Sequence, residues 1–305
     1  MLTLLTGGSG NGKSTFALKL LSQLPGHRYL VDTALVYDEA EAAQRRQKQL
    51  QLQAQGILTL SCGTGLEALQ FPAGSSAIVE CMCHLTANEM FGGADAFLEE
   101  RDQQTVFFRI LSKIEHLLEQ CDNLIVVTNE VGCEGLIYDE GTESYKRLLG
   151  MLNNTLARRA DCVCEVVCGF PLMLKGILPG DALETGVSTG TGQILVIGPE
   201  NSGKRDYVKS LGYTEKEMST DLHSDRPVLL DLHKAVLSCT GKPEDMMSLL
   251  LRKKVIVCSE VGSGIIPVSR ELTRARINIG KLCSELAQQA SSVIRILCGI
   301  PTVLK

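Results

Sequence analysis

A repeat dominates this sequence. Residues 126–175 align without a gap to residues 256–305 at a constant offset of 130, and 15 of the 50 pairs are identical. The first run passes from Glu130-Val131-Gly132 through Gly150 and Leu156-Ala157 to Cys168-Gly169-Phe170-Pro171 and Lys175. The second passes from Glu260-Val261-Gly262 through Gly280 and Leu286-Ala287 to Cys298-Gly299-Ile300-Pro301 and Lys305. Self-similarity of this kind means one supersecondary unit built twice. The 305 residues are therefore read as two copies of one fold.

The beginning of the unit recurs as well. Leu2 to Thr6 is an apolar run that enters a glycine-rich loop, and Ile194 to Ile197 does the same into Gly198-Pro199-Glu200-Asn201-Ser202-Gly203-Lys204. The middles differ. Lys13 to Glu130 spans 130 − 13 = 117 residues, whereas Lys204 to Glu260 spans 260 − 204 = 56. The second copy thus lacks much of the central segment. Domains are expected at 1–178 and 193–305, joined by a linker at 179–192 rich in Gly, Thr and Ser.

Within the first copy, strands are expected at 2–6, 28–32, 57–60, 76–80, 123–128 and 162–168. Helices are expected at 13–23, 38–55, 94–120 and 142–158. Short apolar runs alternating with longer amphipathic ones argue for an α/β fold with a mostly parallel sheet flanked by helices. The expected class is a P-loop (RecA-like) domain, duplicated in a shorter second domain.

Gly7-Gly8-Ser9-Gly10-Asn11-Gly12-Lys13-Ser14 fits G-x-x-x-x-G-K-[ST] between a strand and a helix. Glycines let backbone N–H groups turn toward phosphate oxygens, and the helix N-terminus adds its positive end. Lys13 is expected to reach the outer phosphates of ATP or GTP, and the Ser14 hydroxyl to ligate Mg²⁺. Thr15, and Asp32-Thr33 at the end of the second strand, are grouped with the loop as nucleotide-contacting residues. Glu80 ends the apolar run Ala77-Ile78-Val79 on the side where parallel strands present ligand-binding residues. It is expected to act in catalysis and to hold the metal or its water. Thr128-Asn129-Glu130 ends another strand, a weaker candidate, and His84 reads as an ordinary helix or loop residue. In the second copy Arg205 stands where Ser14 does, and a guanidinium cannot bind a metal. Asp231 is expected at Glu80's place there.

Charge and composition exclude other classes. Net charge is −5 with no basic stripe, which argues against a nucleic-acid partner. Arg252-Lys253-Lys254 reads as the solvated end of an element, and Arg45-Arg46-Gln47-Lys48 as an exposed helix face. No apolar run reaches the ~18 residues of a membrane span, and Met1 to Thr6 is too short for a signal peptide. The chain is expected in the cytoplasm. There the twelve cysteines, Cys81-x-Cys83 and Cys162-x-Cys164 included, read as small apolar core residues.

Taken together, these motifs resemble the bifunctional adenosylcobinamide kinase/adenosylcobinamide-phosphate guanylyltransferase family. Leu4-Leu5-Thr6-Gly7-Gly8 with Gly12-Lys13-Ser14, Val79-Glu80-Cys81 and Asn88 carry the likeness. So do Val127-Thr128-Asn129-Glu130-Val131-Gly132, Arg147, Gly150, Asn153, Leu156-Ala157, Gly169 and Lys175, covering nearly all of 1–175. In the second copy Gly262-Ser263-Gly264-Ile265-Ile266-Pro267 and Arg270 follow the family pattern. The resemblance implies a γ-phosphoryl transfer to the aminopropanol hydroxyl of a cobinamide-type substrate. It also implies attachment of GMP through a histidine-linked intermediate, and assembly into trimers. Three positions depart from it. The family's guanylylated histidine aligns with Arg46-Gln47-Lys48, a nearby acidic residue aligns with Ser61, and the loop reads Gly10-Asn11 in place of Arg-Ser. None of the five histidines, at 27, 84, 116, 223 and 233, falls in that helix. The expected activity is a cobinamide kinase-like phosphotransferase without covalent guanylyl transfer. The alternative is a degenerate nucleotide-binding module with a regulatory or scaffolding role. The second copy is expected to be structural, through self-association or intrachain packing.

Overall fold

A computed structural model describes residues 1–35, 39–92, 102–131, 138–179, 192–238, 243–264 and 269–305. The chain forms two compact units, and their limits do not follow the repeat. The first unit is Met1–Thr6, Lys13–Glu165 and Met173–Leu183; the second is Gly7–Gly12, Val166–Leu172 and Glu184–Lys305.

The first sheet is built from β1 (Leu2–Thr6), β2 (His27–Asp32), β3 (Ile57–Ser61), β4 (Ser75–Glu80), β5 (Cys121–Val127), β6 (Cys162–Val167) and β7 (Phe170–Lys175). Its order is β3-β2-β4-β5-β1-β6-β7. β1, β2, β4 and β5 pair in parallel with their neighbours. A strand covered on both faces needs a near-continuous apolar run, and all five residues of β1 are buried. The helices are α1 (Lys13–Gln23), α2 (Glu39–Ala54), α3 (Met82–Phe91), α4 (Gln103–Gln120) and α5 (Glu140–Arg159). Helix α1 buries Phe16, Ala17, Leu20 and Leu21, one face at helical spacing. Asp102 and Asp139 cap α4 and α5 by accepting from backbone N–H groups of the first turn.

The second sheet is built from β8 (Ile194–Gly198), β9 (Met218–Ser219), β10 (Val228–Leu229), β11 (Val255–Ser259), β12 (Ser292–Leu297) and β13 (Ile300–Val303). With it go α6 (Lys204–Ser210), α7 (Leu232–Ser238), α8 (Pro243–Leu250) and α9 (Arg270–Gln289). Its order, β13-β12-β8-β11-β10-β9, matches β7-β6-β1-β5-β4-β2 strand for strand. What is missing is α2 and β3: only eight residues, 220–227, separate β9 from β10. The core gathers Leu195, Leu229, Leu250, Ile256, Leu286 and Val293 among others.

The repeated Cys-Gly and terminal Lys have structural reasons. Cys168-Gly169 turns β6 into β7 with φ of 50° and 85°, and Cys298-Gly299 turns β12 into β13 with 50° and 79°. Positive φ at both central residues is the mark of a tight hairpin turn. Lys175 Nζ donates to the carbonyls of Ala157, Arg158 and Ala160 at 3.3, 2.9 and 2.5 Å. Lys305 does the same to Ala287 and Gln288. Each lysine therefore satisfies the orphan carbonyls at the end of the long helix before the hairpin.

Three sequence expectations change here. The segment 94–120 is helical from Gln103, with 93–101 outside the described residues, and a separate α3 precedes it. Lys253 is not solvated: it is buried, and its ammonium donates to the carbonyls of Ser224 and Arg226. Its apolar stem permits that burial once the charge has oxygen partners. Pairing register puts Leu230, not Asp231, at Glu80's place, since Val79 pairs Val126 and the equivalent Leu229 pairs Ile256. The expected linker, 179–192, falls almost wholly outside the described residues.

Replacing Lys175 with Met should lower unfolding free energy by about 1 kcal/mol, the net worth of carbonyls left to solvent. Urea denaturation with an unchanged m-value checks this.

Candidate nucleotide-binding site

β1 ends in the buried Thr6 and hands the chain to a loop that only glycine can start. Gly7 has φ of +133°, and a methyl group there would lie 2.6 Å from the Val166 carbonyl oxygen. The loop closes at Gly12, and α1 begins at Lys13. Ser14 is half-buried and Thr15 exposed in that first turn. Lys13 is 6% exposed. Burial lowers its pKa to about 8, against the opposing pull of Cys83, Cys81 and Glu80. A cation is thus held out of water at the first turn of a helix, where anions bind.

Glu80, Asp32 and Ser61 end adjacent strands in register, Asp32 pairing both. Asp32 Oδ1 accepts from the Ala34 N–H at 3.1 Å, and Oδ2 lies 3.3 Å from the Arg45 guanidinium. Glu80 Oε2 stands 4.0 Å from Lys48 Nζ. Thr33 is fully buried, and its hydroxyl donates to the Cys81 carbonyl at 2.8 Å. Its place is to tie the end of β2 to that of β4. Asn88 from α3 completes the brace, donating to the carbonyls of Thr33 and Gly63. A cavity of about 190 Å³ opens here, with Asp32, Arg45, Lys48, Ser61, Glu80 and His84 in its wall.

His84, read from the sequence as an ordinary helix or loop residue, stands in the wall of this cavity. Nδ1 lies 3.5 Å from Cys81 Sγ. Burial opposes its charge, yet the Cys81 sulfur and the Asp32 carboxylate outweigh that and raise its pKa. Within the Cys81–Cys83 pair, the Cys83 thiol holds Cys81 below the usual range. The only signal in the sequence was a histidine within one helical turn of a strand end.

Glu130 lies three residues beyond the end of β5. Its segment is anchored by Asn153, whose Oδ1 accepts from Thr128 at 2.7 Å and whose Nδ2 donates to the Asn129 carbonyl at 3.1 Å. Burial raises the Glu130 pKa, and the Glu165 carboxylate adds to this. In the second unit the equivalent pair is Glu260 with Arg295 at 3.1 Å. There Lys204 donates to its own loop, to the carbonyls of Gly198 at 3.1 Å and Pro199, and Arg205 pairs with Glu215.

A glycine loop between a parallel strand and a helix, with a buried lysine at the junction, defines a P-loop nucleotide-binding fold. A profile of the cobinamide kinase / cobinamide phosphate guanyltransferase family matches residues 3–174, and the chain belongs to that family. It is 27% identical over 183 residues to the bifunctional adenosylcobalamin biosynthesis protein CobU of Salmonella typhimurium. With CobU of Escherichia coli the identity is 26% over 183 residues. Each alignment covers 57% of this chain and all of the relative. Among the described residues no helix is long and apolar enough to cross a membrane.

A lysine lowered from 10.5 to about 8 costs stability below pH 8, progressively less between 8 and 10.5, and nothing above. Nucleotide-free Lys13→Met should therefore exceed wild type at pH 7 by on the order of 1–3 kcal/mol. The gap should close as pH rises through that window, as read by chemical denaturation at each pH.

Proposed function

We propose that this chain is a phosphotransferase that uses ATP or GTP to phosphorylate a cobinamide hydroxyl through its first P-loop, and that it forms no covalent guanylyl intermediate. The observation that carries this is the buried Lys13 at the head of α1, close enough to Glu80 to feel its charge. The family membership and the cobalamin-biosynthesis relatives support the substrate class.

The residues fit a magnesium nucleotide. Ser14 and Glu80 would hold Mg²⁺, directly or through water. Bound there, the ion would neutralise phosphate charge. Lys13 would bind the outer phosphates and stabilise charge moving onto the leaving diphosphate. The substrate hydroxyl oxygen forms its bond to the γ-phosphorus as the bond to the β-phosphate oxygen breaks, and the hydroxyl proton leaves to a base or to solvent. Positioning and electrostatics account for nearly all catalysis of this kind. A nucleotidyl intermediate needs more, namely a nucleophilic nitrogen aimed at the α-phosphorus. The resemblance puts that nitrogen on α2, which carries Arg46-Gln47-Lys48 there and no histidine.

ATP or GTP with Mg²⁺, at 100 times its dissociation constant, should stabilise the protein by about 2.7 kcal/mol. Lys13→Ala should abolish the shift, and Lys204→Ala should leave most of it. Equal thermal shifts for wild type and Lys13→Ala refute nucleotide binding at this loop. Because Lys13 must be charged to bind phosphate, affinity should weaken up to tenfold per pH unit above about 8. Turnover with cobinamide tests the kinase step; no phosphate transfer from either nucleotide would leave the binding-module reading. After incubation with GTP and denaturation, intact mass should show no added GMP. A retained adduct overturns that part, and peptide mapping would tell Lys48 from His84.

A further inference from the structure

The first P-loop holds two glycines its motif does not require, Gly8 and Gly10, and the second unit explains them. That unit includes Gly7–Gly12 together with Glu184–Lys305. Within it, Ser9 N–H donates to the Gly262 carbonyl at 2.7 Å. A methyl group on Gly262 would lie 2.4 Å from the Ser9 oxygen, and one on Gly8 would lie 2.9 Å from the Gly262 carbonyl carbon. A methyl group on Gly280 would lie 2.7 Å from both Cα and O of Gly10. Four glycines meet backbone to backbone at distances no side chain can share.

Comparison with the second glycine loop separates what is general from what is particular. Both loops are held from one side by a hairpin. Gly169 N–H donates to the Asn11 carbonyl at 2.9 Å, and Gly299 N–H to the Ser202 carbonyl at 2.8 Å. The seat made by Gly262 and Gly280 engages the first loop. The second loop carries Pro199 and Asn201 at the places of Gly8 and Gly10, and such side chains would not fit against it. Gly280 also sits inside the 20-residue helix α9, where glycine is a poorer helix former than alanine. The equivalent Gly150 of α5 has no such contact: among the described residues a methyl group there meets nothing within 4 Å.

We propose that Gly262 and Gly280 are positioning residues for the nucleotide, fixing residues 8–10 of the P-loop so that its amides are ordered before phosphate arrives. This rests on the nucleotide-binding reading above. A glycine-rich loop has the most backbone freedom to lose on binding a ligand, and pre-ordering removes that loss from the binding step. The segment that closes the P-loop therefore comes from residues beyond the stretch, 3–174, that matches the family.

The test uses the full chain with Gly280→Ala and Gly150→Ala side by side. Both add a methyl group inside a long helix, so a merely structural role moves them alike. With a fluorescent ATP or GTP analogue and Mg²⁺, Gly280→Ala should raise Kd at least tenfold, and Gly150→Ala should leave it within twofold. Hydrogen exchange of nucleotide-free wild type should show the Ser9 amide protected, and Gly280→Ala should lose that protection. Should Gly280→Ala fail to fold, the wild-type exchange still decides: an unprotected Ser9 amide overturns the proposal. A wild type that binds nucleotide while Gly280→Ala binds equally well overturns the positioning role alone. A wild type that binds none overturns the function proposed above and this role with it.

Discussion

A desolvated cation governs this molecule. Lys13 is buried at the head of α1 with its pKa pulled down by the loss of water. Such a group is unfavourable in a protein with no anion to meet. The surrounding structure is arranged around tolerating it. β1 must be wholly buried to deliver the loop at this depth. Gly7 must take a φ of +133° to leave the sheet. Glu80 and the Cys81–Cys83 pair supply partial compensation. A polyphosphate would complete that compensation, which is why burial that is adverse in the free protein favours binding.

The strand ends around Glu80 are braced more heavily than a simple sheet edge needs. Thr33 and Asn88 spend their polar atoms on backbone carbonyls, and Asp32 is held by both an N–H and a guanidinium. That bracing leaves the Glu80 carboxylate and the His84 imidazole in the wall of one cavity with Lys48. The cavity wall is made of strand ends, the first turn of α3 and the middle of α2, elements whose geometry is fixed by backbone pairing. Side chains carried by such elements are held in fixed geometry.

Most of the fold was legible in the sequence because its signals are local. Short apolar runs gave six strands of the first sheet within about two residues and missed β7, and the repeat at offset 130 anticipated a second, shorter copy of the fold. The P-loop was legible because its chemistry demands particular residues in consecutive order. What stayed hidden depends on register or on distant partners. Asp231 looked like a strand-end carboxylate, yet one residue of pairing register moved it past Glu80's place. Lys253 looked solvated because nothing in its neighbours says that carbonyls of 224 and 226 will surround it. Helix α3 is short and buries polar Thr86, Asn88 and Glu89 along with its apolar residues, so it lacked the apolar periodicity that marks a helix. Without α3 in view, His84 had no assigned direction. Gly8 and Gly10 were legible as glycines but not as packing residues, since their partners lie about 250 positions on.

The second unit keeps the framework and replaces the chemistry piece by piece. At the places of Thr128 and Asn153, which anchor a strand end beside the P-loop, stand Cys258 and Cys283, a buried pair in which the Cys283 thiol lowers the pKa of Cys258. Where Glu130 faces the like charge of Glu165, Glu260 faces Arg295 and is neutralised. Lys13 and Lys204 are both held at depth, and Lys204 donates to the carbonyls of Gly198 and Pro199. The buried lysine is common to both units, Lys13 and Lys204 each with a pKa lowered by loss of water, whereas the carboxylate beyond β5 meets a like charge in the first unit and its counterpart a guanidinium in the second. That contrast is independent of the P-loop motif, since it is drawn from Glu130, Glu165, Thr128 and Asn153, none of which belongs to it.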